Sequence, residues 1–162
     1  MRSYAPNDQI ENDQPPSVIG HQWVRVAAGL GLLFFVAHSV TVVLTCAVKG
    51  FDWGVNAWVL DLAGFLAGAF FAVQCWLSST RDPHEFRSGN RWIAVWAVAT
   101  VSFRVVDTLM LFGVLKWSEI YVTPTGWVLW SNVVSEVVIG MTFAMAALVG
   151  SLMLLRDARR PR

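Results

Sequence analysis

Six polar residues interrupt stretches that otherwise read as hydrocarbon: His38, Asp61, Arg104, Asp107, Asn132 and Glu136. Histidine and carboxylic acids can hold and pass a proton. Arginine can neutralise a carboxylate or grip an oxygen-rich group, and asparagine can do either end of a hydrogen bond. The segment SFRVVDTLM, Ser102 to Met110, is the sharpest case, because Arg104 and Asp107 are three residues apart in an apolar run. On a helix they share a face one turn apart. A histidine and a carboxylic acid set together in a dry medium are a basis for general acid–base catalysis. The same pair can also bind a proton, a cation or a small ligand.

The elements that carry these residues follow from composition. The 162-residue chain is 56% hydrophobic and 14% charged, with net charge +1. Soluble domains carry roughly 25% charge. Four apolar blocks lie at about 23–48, 54–77, 92–115 and 127–155. Each exceeds the ~20 residues a helix needs to cross a bilayer. None alternates as a membrane-spanning strand would. The expected fold is therefore all-α: a polytopic, antiparallel four-helix transmembrane bundle at 22–156, in contact with the lipid bilayer. Residues 1–21 read as a disordered polar tail and 157–162 as a basic tail.

Basic residues are distributed unequally between the two ends. One side holds Arg2, Arg25, Arg81, Arg87, Arg91, Arg156, Arg159, Arg160 and Arg162; the other holds Lys49 and Lys116. The positive-inside rule then places both termini in the cytoplasm. The N-terminal tail lacks the pattern of a cleaved signal peptide. The first helix is expected to act as its own insertion signal, in a plasma membrane of bacterial type.

Helical geometry brings the polar residues to one level. Measured from the ends of their blocks, His38, Asp61, Arg104, Asp107 and Glu136 lie ~10–17 Å below the outer surface at ~1.5 Å per residue. Each shares a face with small or polar residues. His38 goes with Gly31, Thr41 and Thr45; Asp61 with Gly64, Gly68, Ala72 and Cys75; Arg104 with Ala97, Thr100 and Asp107. Glu136 goes with Asn132, Gly140, Phe143 and Ala147. Small residues mark close helix approach in membranes, and Gly64-x-x-x-Gly68 has the GxxxG spacing. The polar groups are thus expected to meet inside the bundle.

Three carboxylates against one arginine leave an excess of negative charge, which a proton, a cation or water must offset. The ligand- or ion-binding set is therefore His38, Asp61, Arg104, Asp107, Asn132 and Glu136, with possible ion-coupled transport. As an enzyme acting on a lipophilic substrate, of isomerase or cyclase type, the chain would use His38, Asp61 and Glu136 as its acid and base. As a structural subunit, it would use the charges to fix helix order or to meet a partner subunit or a second copy. No cofactor is expected. Zinc, manganese or iron is the metal alternative, and a bis-histidine haem lacks its second histidine.

Other features have plainer readings. Nucleotide, zincin and serine-hydrolase motifs are missing, and no clustered basic face speaks for nucleic acid. Nine tryptophans read as the aromatic belts of the two interfaces, with Trp23, Trp76, Trp92 and Trp96 at one and Trp53, Trp58, Trp117, Trp127 and Trp130 at the other. Cys46 and Cys75 fall at opposite ends of their helices, too far apart to pair. Asp82, His84 and Glu85 resemble a weak metal cluster and read as a solvated loop.

Overall fold

The computed structural model describes residues 16–49, 55–115 and 126–160. The secondary structure there is helical. Helix α1 spans Pro16–Lys49, α2 Val55–Thr80 and α3 Arg87–Leu111. The last rod is continuous but not uniform. It begins as α4 (Gly126–Asn132), widens into a π-helical segment (Val133–Gly140) and resumes as α5 (Met141–Asp157). Four of these rods are long and apolar enough to cross a membrane: Val18–Ala47, Leu62–Thr80, Arg87–Met110 and Gly126–Asp157.

Boundaries differ from the sequence reading at several ends. α1 starts at Pro16, so residues 16–21 are helix rather than tail. Proline is well suited there, since the first turn needs no N–H from it. Residues 1–15 of the expected tail lie outside the described residues. α3 begins at Arg87 and closes at Leu111, followed by a turn in which Gly113 takes a positive φ of 70°. The expected span to residue 115 therefore ends one turn early.

Packing is inside-out relative to a soluble bundle. The interior is rich in small residues: Ala27, Ala28, Ala97, Ala144, Ala146 and Ala147 are buried. The outer surface carries large apolar side chains such as Leu32, Val43, Leu66, Phe70 and Trp92. Small residues let membrane helices approach closely, and large ones face hydrocarbon at no cost. α1 is the central rod, packed along both α2 and α5, and α3 packs along α5. α2 and α3 meet only sparsely. The bundle is therefore closed on three sides and leaves a gap on the fourth.

The belt reading requires exposed tryptophans. Trp23, Trp76, Trp92, Trp127 and Trp130 are exposed. Trp53 and Trp117, and the side chain of Trp58, lie outside the described residues. Trp96 departs from the expectation. It is half-buried, stacked on Phe71 at 4.6 Å and 5.0 Å from Phe143. It belongs to the interior of the bundle, not to the interface.

Candidate functional site

Polar residues from three rods converge. His38 on α1 contacts Oε1 of Glu136 through Nδ1, and Arg104 on α3 contacts Oε2 of the same carboxylate through Nη1. Asp107 stands one turn along α3, with its Oδ2 3.7 Å from Arg104 Nη1. His38 and Glu136 are buried, and Arg104 and Asp107 are mostly so. Glu136 is the hub, with one oxygen toward His38 and the other toward Arg104. A lone arginine at mid-membrane costs at least ~2.5–3.5 kcal/mol, so the pairing explains how the chain tolerates Arg104.

Aromatic rings complete the setting. Phe34 stacks on His38 at 5.4 Å, and the Arg104 guanidinium carbon lies 5.4 Å from the same ring. Cation–π attraction at this distance is worth ~0.5–2 kcal/mol. Phe34 fits because two glycines flank it. A Cβ on Gly68 would come within 3.3 Å of the ring, and one on Gly140 within 3.2 Å. Gly68 thus marks a close approach, as the GxxxG spacing predicts. Gly64 does not, since a Cβ there would meet nothing within 4 Å.

The π-helical segment positions Glu136. Its sequence, VVSEVVIG, is dominated by β-branched residues, which favour α-helix least among the aliphatics. Wide π turns are rare and recur at functional sites. The wider turn changes which side chains face inward. Ser135 is fully buried and Asn132 is not, although a regular helix would put Asn132 on the Glu136 face. Asn132 donates from Nδ2 to its own Val128 carbonyl at 2.8 Å. Ser135 instead accepts from Thr41 Oγ1 at 3.2 Å, and that hydroxyl also lies 3.2 Å from the Ser131 carbonyl.

The remaining sites fall as follows. Asp61 is on α2, and its side chain lies outside the described residues. The two cysteines are free thiols. In the 81–86 turn, Asp82 accepts from the His84 backbone N–H at 2.8 Å, a local turn contact. Among the described residues no group of three His, Cys, Asp or Glu side chains is placed to hold a metal ion.

A cleft of about 260 Å³ opens where α2 and α3 part. Small residues of α2 (Gly64, Ala67, Gly68) form one wall, and Trp96, Thr100, Phe103 and Arg104 of α3 form the other. Phe34, Gly140 and Phe143 form its floor. Among the described residues Arg104 is the only charged group in this lining. His38 and Glu136 stand behind it. Compared with protein families, curated proteins and solved structures, the chain matches none. A bundle of this shape implies no particular chemistry.

Proposed function

We propose that the chain is a multi-pass plasma-membrane protein that binds a small lipophilic molecule between α2 and α3. Arg104 is the polar anchor of the site, and Glu136, His38 and Asp107 hold it in place. The observation that carries this reading is the cleft that runs from exposed apolar walls to a mostly buried arginine. Pockets of this kind, largely apolar with a few placed polar groups, are the usual form of ligand sites. The nine-to-two bias of basic residues supports antiparallel rods with both termini in the cytoplasm. The cleft then faces lipid, and a lipophile reaches it sideways. With Arg104, Asp107 and Glu136 ionised, one negative charge is in excess. A proton on the His38–Glu136 pair removes it, which makes ion-coupled transport of the ligand the natural extension.

The test uses Ala99, an exposed residue of the cleft lining. Ala99→Phe is expected to fill the cleft, abolish saturable binding of a lipophilic naphthalene probe in nanodiscs and leave abundance unchanged. Undiminished binding in that variant would refute the cleft as the site. The acid–base enzyme reading has less support, because it needs His38 or Glu136 to reach the substrate.

One observation favours a second reading, a structural clamp in a membrane assembly: both oxygens of Glu136 are engaged, each by a different rod. A pure clamp predicts that the exchange Arg104→Glu with Glu136→Arg preserves folding and that no probe binds. Retained folding together with probe binding would remove it.

A further inference from the structure

Three residues on the α3 wall of the cleft are four apart: Trp96, Thr100 and Arg104. That spacing stacks them on one helical face, about 6 Å per step and about 12 Å in all. Each carries a hydrogen-bond donor, and two of them, the indole N–H and the guanidinium, can only donate. Elsewhere on α3, Ser102 and Thr108 donate to carbonyls four residues back, at 3.0 and 2.6 Å. Thr100 and Trp96 make no such side-chain bond among the described residues. The opposite wall, Gly64, Ala67 and Gly68, offers no polar side chain.

We infer that the cleft selects an uncharged, flat, ring-bearing lipophile with a carbonyl acceptor, an aryl ketone or quinone being the type. The inference rests on the reading of the cleft as a ligand site. A row of donor-bearing side chains across the cleft from an apolar wall suits an acceptor along one edge of the ligand. Trp96, Phe34, Phe103 and Phe143 offer ring faces and edges for the rest of it. Charge decides between acceptors. With a proton on the His38–Glu136 pair the site is balanced, so an anionic head would bring an uncompensated charge into a medium of low dielectric. A cationic head would meet Arg104 itself. A neutral carbonyl takes the donors and adds no charge. The volume, about 260 Å³, falls just under the ~300–1,000 Å³ of drug-sized pockets and suits a small ligand.

The experiment uses the full chain in nanodiscs, with empty nanodiscs as the partition control. Three naphthalene probes of matched size are compared: a naphthyl ketone, a naphthoate and a naphthylmethyl trimethylammonium. The ketone is expected to bind saturably and at least about tenfold tighter than either ion. Trp96→Phe, which keeps a ring and removes the N–H, and Thr100→Val are each expected to weaken it about 3–10-fold, the worth of one hydrogen bond. Ala99→Phe should abolish it. Tighter binding of naphthoate or of the ammonium, still blocked by Ala99→Phe, overturns the carbonyl class and leaves the site standing. Ketone binding indifferent to both Trp96→Phe and Thr100→Val overturns the donor row. If no probe saturates above empty nanodiscs, the site and the inference fall together.

Discussion

Glu136→Ala is expected to destabilise the bundle by about 3–5 kcal/mol, the cost of removing one partner from a buried ion pair. The loss is large because Glu136 serves Arg104 and His38 at once. Without it, His38 loses its carboxylate, and Arg104 keeps Asp107 at 3.7 Å as its ion-pair partner among the described residues. An unfolding titration of the chain in bicelles or mixed micelles measures this directly. Glu136→Gln keeps the shape and an acceptor for Arg104, so a smaller loss is expected. A double-mutant cycle with Arg104→Met gives the sharper test. Once Arg104 is apolar, Glu136→Ala should cost less than in the parent chain, because a vacated pair is worse than none. Strictly additive losses would mean that the two side chains do not act as a pair.

Gly150→Val is expected to separate α1 from α5 and to cost upward of about 1–3 kcal/mol, the usual range for overpacking. A Cβ at position 150 would lie 2.8 Å from the Val24 backbone nitrogen and 2.9 Å from Trp23 Cβ. Backbone cannot swing aside as the end of a side chain can, so the rods must part. Membrane helices gain little from burial against lipid and depend on such close packing. Gly29 supplies the control, since a Cβ there meets nothing within 4 Å. Gly29→Ala should leave the unfolding midpoint unchanged. Equal midpoints for Gly150→Val and Gly29→Ala would show that the α1–α5 seam is looser than described.

Four apolar blocks of 20 or more residues were enough to determine the number of rods long and apolar enough to span a membrane, because bilayer thickness sets a length and a composition. Helical periodicity also determined that His38, Arg104, Asp107 and Glu136 share a layer and face small-residue seams. Depth and facing depend only on rise and turn per residue, and both are fixed for a regular helix. The tertiary structure decided what regularity hides. The π-helical segment turned Ser135 inward and Asn132 aside, a shift that the count of 100° per residue cannot register. It decided that Trp96 is an interior residue, because a tryptophan near a helix end serves belt or core according to what its neighbours offer. Here Phe71 and Phe143 offer a stacking surface. The cleft, too, belongs to the fold alone. It exists because α2 leans on α1 and α3 leans on α5, and the resulting gap depends on how four rods divide their contacts. No single segment carries that information.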